Sequence, residues 1–234
     1  MSDTMDPAGA SAPQEPPFAP QQGIGVSLAV GSFGFAVLVL GLADARVFTP
    51  NAIGIFVPVA MAMGAFGLLI GGLWEFRANN IFGGTFAVFY AGFLLTTGLI
   101  LKNYSPGIID TAGAGGFGDA FGAWLLLWCV FTVMLSVGAY YINMPAFLAF
   151  TLLEIAYLLL GVASIGGTGD TVDFLTKVGG WVLIADGIVA WYLSWALEVN
   201  PLAGDRLPVW PYPYAMRQSK AAPADTSPLP MGHA

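Results

Sequence analysis

Six stretches of about twenty residues each, nearly free of charge, govern what this chain can fold into. They run at about 24–43, 51–73, 81–102, 121–142, 145–166 and 178–199. A helix needs roughly 20 apolar residues to cross the hydrocarbon core of a bilayer. Strands of a membrane barrel would be about half as long and would alternate polar with apolar residues. These runs do not alternate, so the expected fold class is an all-α integral membrane protein with six transmembrane helices. The whole chain is 57% apolar and only 9% charged, more apolar surface than a soluble domain could hide.

The breaks between the runs are compact. Asp44-Ala45-Arg46 and Pro50 divide the first two, Glu75 to Asn80 the next pair, and Asn143-Met144-Pro145 the fourth from the fifth. The Gly-rich stretch from Asn103 to Asp119 reads as the longest loop, and Gly166 to Asp173 closes the set. Pro58 should kink the second span. Ser27 with Gly31, and Gly67 with Gly71, have the spacing that lets membrane helices approach closely. Trp124, Trp128, Tyr140, Tyr141, Trp191 and Trp195 read as interfacial aromatics near span ends. Residues 1–23, rich in Pro, Ala and Gln, read as a disordered tail without the basic start of a signal peptide. Residues 24–200 form the transmembrane domain and 201–234 a second tail. Its Leu207-Pro208-Val209-Trp210-Pro211-Tyr212-Pro213-Tyr214 segment suits either the headgroup zone or a floppy polar end.

A net charge of −7 argues against nucleic acid as a partner. With Cys129 and His233 as single copies, neither a disulfide nor a His/Cys metal site within one chain is expected, and no cofactor motif is present. No nucleotide loop and no nucleophile–His pair lies in the spans, so an enzyme is not expected. If the N-terminus is cytoplasmic, that side carries Arg77, Arg206, Arg217 and Lys220 against Arg46, Lys102 and Lys177 opposite. The bias leans to both termini in the cytoplasm of a cell (plasma or inner) membrane.

Two acids lie deep in the spans. Glu154 sits roughly 13 Å into the fifth and Asp186 roughly 12 Å into the sixth from the opposite face, at 1.5 Å per residue. Each costs about 2.5–3.5 kcal/mol on insertion scales, so proton or ion handling is the first reading. A protonated carboxyl bonded to a helix carbonyl is the other. Should Glu154 face a pore, its neutral form could donate a hydrogen bond to a bound carboxylate and pass on its proton.

The segment Trp74-Glu75-Phe76-Arg77-Ala78-Asn79-Asn80-Ile81-Phe82-Gly83, continued by Thr85, Phe89-Tyr90 and Phe93, resembles the signature of the acetate uptake transporter family. That signature reads Leu-Glu-Tyr/Phe-(basic)-x-Gly-Asn-Thr-Phe-Gly. The likeness covers roughly 24–200. It implies passage of small monocarboxylates such as acetate, sometimes succinate, through one pore per subunit of a homo-oligomer, usually a hexamer. It also implies a pore constriction at Phe33, Tyr90 and Leu152, an apolar ring with one hydroxyl that resists hydrated ions. The chain departs from the family where Ile24 to Val30 replace an Asn-Pro-Ala-Pro-Leu-Gly-Leu motif, where Leu68 replaces a Gln, and where Asn79 replaces the signature Gly. Glu75 and Arg77 read either as a pore vestibule or as an ion pair anchoring a turn. Asn80 and Thr85 can hydrogen-bond a substrate carboxylate, and Asn80 is equally placed to cap the third helix. Two readings outside carboxylate transport stay open: a cation or ammonium pathway suggested by the acids, and a non-transporting sensor or scaffold of the same fold.

Overall fold

The structure, a computed structural model, describes residues 25–204 and 206–210. The expected tail over 1–23 and the stretch 211–234 lie outside these residues. Among the described residues seven α-helices follow one another: α1 Val26–Asp44, α2 Phe56–Pro58, α3 Phe66–Arg77, α4 Ile81–Leu99, α5 Ser105–Ala139, α6 Met144–Ile165 and α7 Asp170–Ala203. Among the described residues, five helical segments are long and apolar enough to cross a membrane, one of them two helices joined across a kink at Gly113. The longest, Ile81–Ala139, spans 59 residues. The chain is a multi-pass membrane protein.

The expected loop at 103–119 is helical. A π-turn over Ile100–Tyr104 leads directly into α5, and only Gly113 leaves helical geometry, at φ 75° and ψ 167°. Pro106 falls in the first turn of α5, where its missing N–H goes unnoticed. Glycine carries no Cβ penalty at positive φ, so the break falls on a glycine. The stretch nevertheless doubles back on itself. Phe93 stacks on Trp124 at 6.2 Å, Tyr90 lies 5.4 Å from Trp128, and Phe89 lies 4.7 Å from Phe131. Residue numbers fall on α5 as they rise on α4, so the two helices run antiparallel. Trp124 and Trp128 therefore belong to an internal aromatic cluster rather than to the interface expected from sequence.

The second segment is irregular. A 3-10 turn over Pro50–Ile55 precedes α2, and a π-helix over Val59–Ala65 follows Pro58 before α3 begins. Proline cannot donate to the helical ladder, and the altered hydrogen-bond register absorbs that loss. The last helix runs beyond the expected 178–199 at both ends and includes Pro201.

Helix packing closes a ring. α1 packs on α7 and α3, α3 on α4, α5 on α6, and α6 on α7, while the aromatic pairs join α4 to α5. Small residues set the contacts, as helices in lipid require. Gly31 lies against Ser194, whose hydroxyl donates to the Ser27 carbonyl at 2.7 Å. Gly67 faces Ser32, Gly71 faces the Gly25 carbonyl, and Gly180 abuts the backbone of Asp44 and Ala45. Arg46 and Lys177 both pair with Asp173, at 3.2 Å and 2.6 Å, tying the end of α1 to the start of α7. After α7 the chain folds back. Asn200 holds both Leu207 backbone groups, Tyr192 donates to the Pro208 carbonyl, and the Met144 N–H donates to that of Trp210. Residues 207–210 are thus fixed to the ends of α6 and α7 rather than loose.

Candidate functional site: two cavities and a neck

The ring encloses two cavities lying end to end. The larger, about 350 Å³, is walled by Phe82, Phe86, Ala146, Phe150, Ala190 and Leu193, with Ser27, Asn80 and Asn143 as its polar lining. The smaller, about 170 Å³, lies among Val37, Phe93, Leu125, Tyr157 and Leu183, with Asp44, Thr97, Ser164 and Thr176 supplying polar groups. Phe33 and Leu153 line both cavities and so form the neck between them. Both side chains are buried. Tyr90 backs the neck: its ring meets Phe33 edge-on at 5.5 Å and lies 6.3 Å from Phe150. Its hydroxyl is 2.6 Å from Thr132 Oγ1. Since Thr132 donates its own proton to the Trp128 carbonyl at 2.6 Å, Tyr90 is the donor in the pair.

Of the residues placed at the constriction from sequence, Phe33 lines both cavities, while Tyr90 and Leu152 line neither; Leu153 lines both. One residue turns a helix by about 100°, so an alignment one position out moves a side chain off the pore.

The two buried acids differ. Glu154 turns toward α5, where Ser136 donates to its Oε2 at 2.8 Å, and it lines neither cavity. Asp186 also lines neither cavity; it is fully buried, and neither of its carboxyl oxygens has a hydrogen-bond partner among the described residues. Leu183, three residues earlier, lines the smaller cavity; Ala190, four later, lines the larger. These spacings share one helix face, so Asp186 stands at the level of the neck. Gly34, next to Phe33, packs against the Gly187 carbonyl at the same height. Tyr157 has a buried hydroxyl with no partner among the described residues and lines the smaller cavity.

The signature segment forms a joint at the larger cavity's mouth. Glu75 is fully buried at the end of α3. Its Oε1 accepts from the Gly25 N–H at 2.7 Å and its Oε2 from Asn80 Nδ2 at 2.6 Å. Asn80 Oδ1 in turn caps α4 by accepting from the Gly83 N–H at 3.0 Å. One carboxylate thereby ties together the start of α1, the end of α3 and the start of α4. Arg77 is not its partner: that guanidinium lies over the Trp74 ring at 5.9 Å. Asn79 adopts φ 61°, the left-handed conformation that favours glycine, with asparagine the usual alternative. The Gly-to-Asn departure therefore preserves the turn. Phe76 packs against Gly84, and Thr85 is half-buried on α4, lining neither cavity.

A family model described as the GPR1/FUN34/yaaH family matches residues 7–203. The chain belongs to this family. Among curated relatives, "Ammonia transport outward protein 2" of Saccharomyces cerevisiae is 34% identical over 197 residues, covering 82% of this chain and 66% of that protein. "Acetate permease A" of Emericella nidulans is 32% identical over 76% of this chain and 59% of its own length. The chain thus spans about two thirds or less of these fungal relatives. The "Succinate-acetate/proton symporter SatP" of Escherichia coli is 27% identical over 76% of this chain and 89% of that protein. The solved structure of "the bacterial acetate channel SatP" superposes with a TM-score of 0.71 at 25% identity, covering 81% of this chain and 99% of that one. Sequence reasoning missed Leu153, and it read Asn143 only as a turn residue although that side chain lines the larger cavity.

Proposed function

We propose that this chain carries small monocarboxylates such as acetate across a cell membrane, through the two cavities and the neck between them. The observation that carries this reading is the pair of end-to-end cavities meeting at Phe33 and Leu153 inside a closed helix ring. Family relatives named for acetate transport support it. The antiparallel pairing of α4 and α5 supports six crossings, with the chain reversing near Gly113. Homo-oligomers, hexameric by family resemblance, would place one such pathway in each subunit, both termini facing the cytoplasm. The role is passage rather than catalysis.

Proton coupling in this scheme belongs to Asp186 more than to Glu154. An unpaired ion buried beside the neck costs several kcal/mol, whereas a carboxyl carrying its proton costs far less and, with a small side-chain shift into the pathway, can donate to a passing carboxylate. Glu154 already has a serine partner off the pathway. Labelled-acetate uptake into proteoliposomes, with and without an inward proton gradient, tests the proposal. Gradient-stimulated uptake is the expected result; no uptake above empty liposomes would end it. An ammonium pathway is the second reading, favoured by an acid at the neck's level and by the ammonia-named relative. Labelled methylammonium in place of acetate separates the two.

A further inference from the structure

Three helix N-termini meet at one end of the larger cavity. Its lining includes Val26 and Ser27 from the start of α1, Asn80 and Phe82 from the start of α4, and Asn143 and Ala146 from the start of α6. A helix N-terminus carries a partial positive charge and unsatisfied N–H donors, and both favour anions. One carboxylate already lies against two of the three: Glu75 takes the Gly25 N–H before α1 and the amide of Asn80, the cap of α4. The α6 end has no such internal anion among the described residues, and its first N–H groups are taken: Met144 donates to the Trp210 carbonyl, residue 145 is proline, and Ala146 and Phe147 donate to Asn143. What that end turns to the cavity is its dipole.

Asn143 decides what that end does. It is 6% exposed and lines the cavity. Its Oδ1 caps α6 by accepting from the Ala146 N–H at 2.9 Å. Its Nδ2 has no hydrogen-bond partner among the described residues. Asn80 differs, since both ends of its amide are engaged by Gly83 and Glu75. We propose that Asn143 Nδ2, the one donor this end presents, backed by the dipole of α6, forms a carboxylate-binding subsite at the mouth of the larger cavity. The subsite grips the head of a monocarboxylate and directs its apolar tail toward Phe86, Phe150 and the neck. This rests on the carboxylate-transport reading and names its loading point. A second charge on the ligand would press against those aromatic walls, so the fit is to an acid with one charged end.

The test separates donor from cap. Asn143→Asp keeps an N-cap of equal quality but exchanges the donor for a second acceptor and adds a like charge. Asn143→Ser keeps a cap through its hydroxyl and loses the amide. Both variants are reconstituted in liposomes, with acetate as the probe and thermal stability measured alongside. The expected result is a KM for acetate raised at least about tenfold, the worth of one hydrogen bond to a charged group, exceeding any fall in maximal rate and with stability near wild type. A folded variant of either kind with the wild-type KM overturns the subsite while leaving transport intact. If Asn143→Asp does not fold, Asn143→Ser carries the test. Should the wild-type protein itself move no acetate, the transport reading fails and the subsite falls with it, a result distinct from the first.

Discussion

The Glu75 joint offers the sharpest test of how this ring is held at one end. Its carboxylate accepts two hydrogen bonds, 2.7 Å and 2.6 Å long, from groups on either side of it. Glu75→Gln preserves shape and removes charge. The introduced amide can accept from one donor but must turn its own N–H2 toward the other. That loses one hydrogen bond to a charged group and strands a buried donor, about 2–3 kcal/mol in all. Glu75→Ala strands both donors and costs about 4–6 kcal/mol on the same basis. At ~2–4 °C per kcal/mol for a chain of this size, Glu75→Gln should lower the unfolding midpoint by about 5–10 °C. Combining Glu75→Gln with Asn80→Asp restores a donor–acceptor match: the new amide donates to the new carboxylate while still accepting from the Gly25 N–H. Asn80→Asp alone sets two carboxylates against each other and should be the most damaging of the three point changes after Glu75→Ala. The midpoints are read by size-exclusion thermostability in detergent for the wild type, the singles and the double. A double variant no more stable than the worse single, or Glu75→Gln at the wild-type midpoint, would refute the assignment of Glu75 as the buried acceptor of this joint.

Further outcomes follow from the neck and the packing. Asp186→Asn should abolish the stimulation of acetate uptake by low external pH, whereas Glu154→Gln should retain it; pH-jump flux in liposomes distinguishes them, and the reverse pattern would assign the proton to Glu154. Phe33→Ala removes the ring shared by both cavities and should admit longer acids such as butyrate and hexanoate, seen as competition against labelled acetate; unchanged size selectivity would count against the neck. Leu153→Ala should act in the same direction and Leu152→Ala only weakly. Gly180→Val would drive a side chain into the Ala45 backbone; loss of monodisperse protein on gel filtration is expected, and a well-behaved variant would contradict the α1–α7 packing.

Run length located the helices because a bilayer fixes the apolar length that a crossing needs. Composition misled at 103–119, where many glycines suggested a loop. Helix propensity is a weak prior there: flanking helices propagate through the segment, and a single glycine at positive φ is enough to interrupt it. The signature segment announced a junction, and its turn survives at Asn79. Its central partnership was hidden, because Glu75 meets Gly25, fifty residues away in sequence and contributing only a backbone N–H. No side-chain pattern can report such a contact. Leu153 escaped because the one acid of its helix, Glu154, turns to Ser136 on α5 and so does not mark the face that lines the cavities. Asp186 stood out at once, since a lone acid among apolar neighbours is conspicuous whatever its contacts.

The pairing of α1 with α7 bears on how the molecule is made. Among the described residues, α1 finds a main partner in α7, made well over a hundred residues later, with Gly34 against Gly187 and Gly41 against Gly180. Until α7 inserts, the seam of the helix ring stays open, and the small-residue stripe on α1 faces lipid or an assisting insertase. Premature termination before Asp170 would therefore leave an orphan groove on a half-built protein, a natural signal for membrane quality control. Swapping the order of synthesis by circular permutation would let α1 and α7 emerge as neighbours and zip together early.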